Sequence, residues 1–354
     1  MNKRILYFCT SYSSFVNKDI AILKHEYTVK PFLFSVKNKY LIPLVFIKQK
    51  LFILVNIFRA DVVVCQFAGY HSYLPVLLAK LFFKPSLIVL GGTDCVGFPS
   101  IRYGNFQKAL LSTFTKWSCR LADYLSPVHE TLMLCDYSYQ EDDYSKQGLL
   151  FHIPGLKTKY EVICNGYDDK KWFRNSEKKK NTFITVAADL KMKFSVKLKG
   201  IDLILEVAKS FPECEFIIIG ADETLELPAN STNIKRISVV ENKQLISYYS
   251  GAEFYLQLSM SEGFPNALSE AMLCECIPIV SAVGAMPEIA GGIGFVLKSK
   301  DVDQLKELIK KALSSERSDL SKKARERIQK KYPESLRKER LLSLLSKMTR
   351  TIRN

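Results

Sequence analysis

Short apolar runs separated by segments of helical spacing restrict this chain to one class of architecture. Residues 4 to 9, 61 to 66 and 86 to 90 are apolar, β-branched or aromatic. Each run is bounded by polar, Gly or Pro residues and followed by a helix-like stretch. This alternation predicts α/β structure, a parallel sheet with helices on both faces. It resumes further on, with strands expected at Phe183 to Ala187, Glu215 to Ile219, Ile234 to Val239, Phe254 to Leu258, Ile277 to Ser281 and Phe295 to Leu297. Helices are expected at Gly200 to Ser210, Asn242 to Ser250, Ala267 to Cys274, Asp303 to Ser315 and Leu320 to Lys331. Tyr332-Pro333 breaks the chain before a last helix, Ser335 to Met348. Between the halves a linker runs from Pro154-Gly155 through a polar stretch to Ser176. A length of 354 residues suits two domains.

The balance of 47% hydrophobic and 25% charged residues is that of a globular protein. The nine cysteines are odd in number and show no framework of spacings, so reduced thiols in a cytoplasmic protein are expected. Cys274-x-Cys276 lacks the second pair or His cluster that a metal site needs, and is read as packing. The amino terminus lacks the h-region of a signal peptide. The most apolar region, Leu41 to Phe58, is broken by Pro43 and by Lys48-Gln49-Lys50 and is not a membrane span. Charge is uneven: residues 1 to 120 hold 16 Lys and Arg against 4 Asp and Glu, a net of +12, whereas the whole chain carries +15. A basic first half suggests an anionic neighbour, with membrane lipid or a lipid-linked phosphate ahead of nucleic acid.

The densest chemistry lies in SMSEGFPNALSEAM, residues 259 to 272. A buried strand, a tight loop and a helix with Pro265 near its first turn are expected there. The unpaired N–H groups at such a helix start suit a diphosphate. Glu270, about one turn into the helix, can accept hydrogen bonds from a vicinal diol such as a ribose. Glu262, in the loop, is free to meet the hydroxyls of a second sugar.

This stretch, from Glu262 through seven residues to Glu270, resembles the donor-site signature of the retaining glycosyltransferases of family 4. VICNGYD, residues 162 to 168, resembles that family's interdomain hinge, with Cys164 where a Pro is usual. The resemblance implies the GT-B architecture: two doubly wound Rossmann-like domains facing a cleft, with the last helix crossing back to the first domain. Expected boundaries are 1–160 for an acceptor-binding domain, 161–332 for a nucleotide-sugar-binding domain and 333–354 for the returning helix. It also implies that Glu262 contacts the transferred sugar, that Glu270 holds the nucleotide ribose, and that Gly263, Phe264, Pro265 and Asn266 line the donor. Lys199-Gly200 matches the family's Lys-Gly, which makes Lys199 the phosphate ligand. The family's diphosphate Arg has no counterpart among Ala187, Ala188 and Asp189, so Lys191, Lys193 or Lys197 is expected to substitute, as a point charge without the arginine fork.

On the acceptor side, Gly91-Gly92-Thr93-Asp94 resembles the family's His-Gly-Ser-Asp loop with Gly91 in place of His. Asp94 is a candidate to orient an acceptor hydroxyl or to contact the donor sugar, and Gly92 and His71 are candidate cleft residues; His129, at another strand end, is weaker. Glu288 is read as a helix cap. The implied activity is retaining, metal-independent hexosyl transfer from a nucleotide sugar, UDP ahead of GDP, without another cofactor. The implied acceptor is a glycan or lipid-linked molecule of surface polysaccharide synthesis, reached from the cytoplasm or the inner face of the plasma membrane. The alternatives weighed are an inactive GT-B binding partner and, behind it, a sugar-nucleotide 2-epimerase, whose Gly-Gly-x-Gln-Glu-Glu type of loop is missing. A nucleic-acid partner is not expected.

Overall fold

A computed structural model describes residues 3–36, 38–187, 190, 193–229 and 231–351. The chain forms two six-stranded parallel sheets. The first contains β1 (Lys3–Cys9), β2 (Tyr27–Leu33), β3 (Val62–Gln66), β4 (Ser86–Leu90) and β5 (Tyr124–Pro127). The two-residue strands β6 (Cys135–Asp136) and β7 (Lys146–Gln147) pair as a small antiparallel ribbon, and β8 (Lys159–Tyr160) completes the first sheet in the order β2-β1-β3-β4-β5-β8. The second sheet contains β9 (Lys179–Val186), β10 (Glu215–Ile219), β11 (Ile234–Ile237), β12 (Ala252–Gln257), β13 (Ile277–Ser281) and β14 (Phe295–Leu297), ordered β11-β10-β9-β12-β13-β14. The expected α/β architecture is thus present in both halves. β2 was not foreseen in the sequence; Pro31 interrupts its pattern, and an edge strand accommodates the missing N–H.

Each sheet reverses its winding once, between β1 and β3 in the first and between β9 and β12 in the second. Crevices at the carboxyl ends of strands open at such points. They set the loops after β1, β3 and β4 opposite those after β9 and β12.

Alternation along β1 sends Leu6 and Phe8 to one side of the sheet and Ile5 and Tyr7 to the other. The second side is covered by Leu341, Leu344, Leu345 and Met348 of the terminal helix Glu334–Thr351, which does return to the first sheet. Its crossing lies beside the hinge, where Tyr167 N–H donates to Tyr332 O (2.9 Å) and Glu334 N–H to Tyr167 O (3.0 Å). The apolar region 41–58 is mostly the helix Ile42–Asn56, and among the described residues no helix is long and apolar enough to cross a membrane. All nine cysteines are free thiols; Cys274 and Cys276 are buried, as packing residues would be.

Candidate active site

Glu262 lies in the loop after β12, where three donors converge on Oε1: Lys199 Nζ (2.7 Å), Ser259 Oγ (2.9 Å) and Gln257 Nε2 (3.2 Å). Lys199 arrives from the turn between the helices Lys193–Leu198 and Ile201–Ala208, and Gly200 determines how close it comes. Gly200 has φ +67°, and a Cβ there would collide with the Leu258 carbonyl at the end of β12. Only glycine lets this turn lie against the strand end. Burial pulls the Lys199 ammonium down, but the charge and hydrogen bond of Glu262 outweigh it and the net shift is upward, so Lys199 stays cationic.

The helix Asn266–Leu273 follows, with Pro265 at its N-cap (φ −69°, ψ 116°). Asn266 Oδ1 accepts from Tyr167 OH (2.9 Å) and Asn165 Nδ2 (3.2 Å), which ties the helix start to the hinge. Glu270 is buried in a cleft of about 530 Å³ that also exposes Lys18, Asp168, Lys171 and Asn242. Burial pushes its carboxyl up to about 7, against the opposing pull of Lys18 and Lys171. Lys18 belongs to the helix Ser14–Leu23 of the first sheet's unit and donates to Gly166 O of the hinge (2.7 Å). Lys171 Nζ donates to Asn242 Oδ1 (2.8 Å). The cleft therefore receives cations from both halves of the chain.

Opposite stands the loop after β4. Asp94 is buried, and both its oxygens are engaged by main-chain N–H groups: Oδ1 by Gly91 (3.2 Å) and Gly92 (3.0 Å), Oδ2 by Ala68 (3.0 Å). It ties the loops after β3 and β4 together. Burial raises its carboxyl above the usual range despite these hydrogen bonds. Gly92, at φ +147°, faces Gly263 of the other unit, and a Cβ on Gly263 would collide with the Gly91 carbonyl. The two glycine turns thus form a near contact across the cleft. A side chain at 91 would collide with the ring edge of Phe67, its Cβ 2.0 Å from Cε1; Phe67 is itself at φ +68°. Phe67 occupies the space that a residue 91 side chain would need.

His71 is buried and hydrogen-bonded through Nε2 to Gln66 O (2.7 Å); the carbonyl can only accept, so Nε2 carries the proton. Burial lowers its pKa and keeps it neutral. It lines a cavity of about 260 Å³ with Thr10, Phe34, Tyr70 and Asp94. A smaller cavity, about 190 Å³, lies between the units and is lined by Phe67, Gly91, Glu262, Gly263, Phe264 and Pro265, among others.

The structure thus gathers Glu262, Lys199, Gly263, Pro265, Asn266 and Gly92 at one cleft, with Glu270 in the adjoining one. Phe264 packs its ring against Tyr332 (ring centroids 5.0 Å) and Tyr167 (6.3 Å) and lines the small cavity beside Glu262. Lys197 is exposed and lines neither the Glu262 nor the Glu270 cavity. Ala188, Asp189, Lys191 and the side chain of Lys193 lie outside the described residues. Glu288 does not cap its helix: Oε2 meets His129 Nε2 (3.0 Å) and Oε1 accepts from Tyr332 OH (3.2 Å), so it bridges the two units. Lys18, Lys171 and Phe67 had no motif to mark them in the sequence. Among the described residues no group of three or more His, Cys, Asp or Glu is arranged to hold a metal ion.

Comparison with known proteins gives one family match and a set of structural neighbours. Residues 167–331 match the family described as Glycosyl transferases group 1. A phosphatidylinositol N-acetylglucosaminyltransferase subunit of Arabidopsis thaliana is 24% identical over 181 residues, 48% of this chain and 40% of that protein. The chain therefore spans less than half the length of that relative. Among solved structures, sucrose-phosphate synthase from Thermosynechococcus elongatus aligns with TM-score 0.75 and 13% identity, covering 99% of this chain and 100% of the other. A glycosyltransferase from Rickettsia africae gives 0.70 and 14%, covering 98% of each. HepE of Anabaena in complex with UDP-glucose gives 0.69 and 11%, covering 97% and 99%. At these identities the solved structures establish the shared two-sheet GT-B fold.

Proposed function

Taking residues 167–331 as a glycosyl transferases group 1 domain, we propose that the chain is a retaining glycosyltransferase. It moves a hexose-type sugar from a nucleoside-diphosphate sugar to a glycan or lipid-linked acceptor in surface polysaccharide synthesis, at the cytoplasmic side of the membrane. The observation that carries this reading is the pairing of Glu262 and Glu270 on one strand–loop–helix unit. The first is held by Lys199, and the second is buried in a cleft with Lys18 and Lys171. Residues 1–160 supply the acceptor side, 161–332 the donor side, and 333–354 the returning helix. A UDP-sugar is favoured over a GDP-sugar because UDP-glucose is the ligand named for one structural neighbour. The Arabidopsis relative is named for phosphatidylinositol, which favours a lipid-linked acceptor.

In this scheme Glu270 accepts the ribose diol, and Glu262 accepts hydroxyls of the transferred sugar. Lys199 and the N–H groups opening the helix Asn266–Leu273 meet the diphosphate. Turning Lys199 towards a phosphate does not strand Glu262, because Gln257 and Ser259 still donate to it. The bond from the anomeric carbon to the diphosphate oxygen breaks, and the electron pair leaves with the nucleoside diphosphate. The acceptor oxygen bonds on the same face, and its proton passes to the departing phosphate oxygen. Lys199 carries the charge stabilisation, so the scheme calls for no metal and no further cofactor. Asp94, with both oxygens held by main-chain N–H groups, positions the loops after β3 and β4 and takes no part in proton transfer.

Thermal shifts with UDP, GDP, ADP and CMP test the donor site. At about 100-fold over its dissociation constant a nucleotide stabilises by about 2.7 kcal/mol. UDP is expected to shift the wild type and to leave Glu270→Ala unmoved. A wild type that no nucleotide shifts would overturn the reading.

A further inference from the structure

The helix Ile42–Asn56, IPLVFIKQKLFILVN, is apolar on nearly every side, yet only one side is packed. Its inner face buries Gln49, Ile53 and Asn56; Gln49 Nε2 donates to His71 O (2.7 Å), and Phe46 packs on Phe34 (ring centroids 5.1 Å). On the opposite face stand Leu44, Ile47, Leu51, Val55 and, just past the helix end, Phe58, each between 54% and 74% exposed. Spacings of three and four residues place them in one stripe, on the side where a water-facing helix carries its polar residues. Phe83, 83% exposed, extends the patch beside Phe82, which packs edge-on against Phe58 (5.1 Å). A contiguous apolar surface of this kind marks an interaction site.

Charge selects the occupant. Residues 27–60 contain six Lys and Arg and neither Asp nor Glu. By helical spacing Lys48 borders the stripe on one side and Lys50 lies beyond the other, both exposed, and Arg59 and Lys80 are exposed near its far end. A second copy would bring the same cationic rim against itself. An anionic bilayer meets both features at once: acyl chains take the apolar stripe and headgroups pair with the rim. We propose that the outer face of helix Ile42–Asn56 lies in the plane of an anionic lipid surface and holds the protein there. The surface stands on exposure and charge alone; only its use rests on the proposed transferase activity. For that use the placement is apt, since Phe34 and His71, braced by the inner face of the same helix, line the 260 Å³ acceptor-side cavity. A lipid-linked acceptor would enter that cavity from the membrane on which the helix rests.

Flotation of the full chain with phosphatidylcholine vesicles, with and without phosphatidylglycerol, tests this without donor or acceptor. The wild type is expected to float with the anionic vesicles at low salt and to be released by high salt. Leu51→Glu/Val55→Glu is expected to lower the partition coefficient on the order of tenfold or more, and Lys48→Gln/Lys50→Gln to lower it and flatten its salt dependence. These side chains are exposed, so both variants should keep the wild-type melting temperature and any nucleotide-induced shift, which separates loss of membrane binding from misfolding and from failure of the donor site. A wild type that stays unbound, or a Leu51→Glu/Val55→Glu variant that floats like it, overturns the proposal. So does a wild-type dimer that this variant renders monomeric with no flotation by either.

Discussion

Arg337 and Asp19, 318 residues apart in sequence, meet in a bidentate ion pair, Nε to Oδ1 at 2.7 Å and Nη2 to Oδ2 at 2.6 Å. Both side chains are almost wholly buried, and Nη1 also donates to the carbonyls of Ile163 (2.9 Å) and Cys164 (3.1 Å). One guanidinium thus joins the helix after β1, the hinge and the returning helix. Such a pair is weak evidence of net stabilisation, but breaking it strands a buried charge.

Arg337→Ala is therefore expected to cost about 3–5 kcal/mol, because it orphans Asp19 and two hinge carbonyls together. Replacing both partners by apolar residues, Asp19→Leu with Arg337→Met, should cost less than Arg337→Ala alone. Urea denaturation of the three proteins reads this directly. A loss under about 1 kcal/mol for Arg337→Ala would show that the pair does not secure the crossing.

What the sequence disclosed and what it concealed divide along physical lines. β4, β10, β13 and β14 begin and end as their apolar runs predicted; β4 and β13 are buried at every position, and such strands write their limits in hydrophobicity. The contiguous segment from Glu262 to Glu270 could be read for chemistry because its strand, loop and helix are consecutive. Lys199-Gly200 could be picked out because the pair matches the Lys-Gly of the resembled family. Lys18 and Lys171 reach the Glu270 cleft from separate elements, and only the fold brings them together. Glu288 was misread as a cap because its partners, His129 and Tyr332, are 159 and 44 residues away. The space that Phe67 takes beside Gly91 is likewise invisible until β3 and β4 are side by side.

The raised pKa of Glu270 gives two linked expectations. Folding lifts its carboxyl from the ordinary value of 4.5 to about 7, so between these limits the folded protein binds more protons than the unfolded chain. This group's contribution to stability is therefore undiminished below about pH 4.5 and is lost as pH rises through 7, with a ceiling of about 3 kcal/mol. Glu270→Gln removes the titration, and the difference in stability between variant and wild type should move in the variant's favour across that window. Nucleotide affinity should run the other way. An ionised carboxylate is the better acceptor for a ribose diol, so wild-type affinity for UDP, compared with that of Glu270→Gln at each pH, should rise through pH 7. Calorimetric titration from about pH 5.5 to about pH 8.5, roughly 1.5 either side of that value, checks the sign. Parallel profiles for the two proteins would separate Glu270 from the ribose.

Gly200 and Gly263 both lack room for a Cβ, but the obstructing atoms lie in different places, and their alanine variants should fail differently. At Gly200 the obstacle is the Leu258 carbonyl within the same sheet's unit, and the backbone is left-handed. No rigid-body movement relieves either, so Gly200→Ala should cost about 1–3 kcal/mol of stability and displace Lys199 from Glu262. At Gly263 the obstacles are the Gly91 carbonyl and, at 3.3 Å, Leu132 Cδ1, both in the opposite unit. A small separation of the two units relieves them. Gly263→Ala should thus keep a melting temperature near that of the wild type and retain the UDP-induced shift, since Glu270 and Lys171 are untouched. It should lower kcat/KM on the order of 10–100-fold, because reacting groups displaced by about an ångström lose much of their orientation. Melting curves and initial rates on the two variants distinguish the cases. An unchanged rate for Gly263→Ala would mean that the approach of the two glycine turns is no part of the productive state.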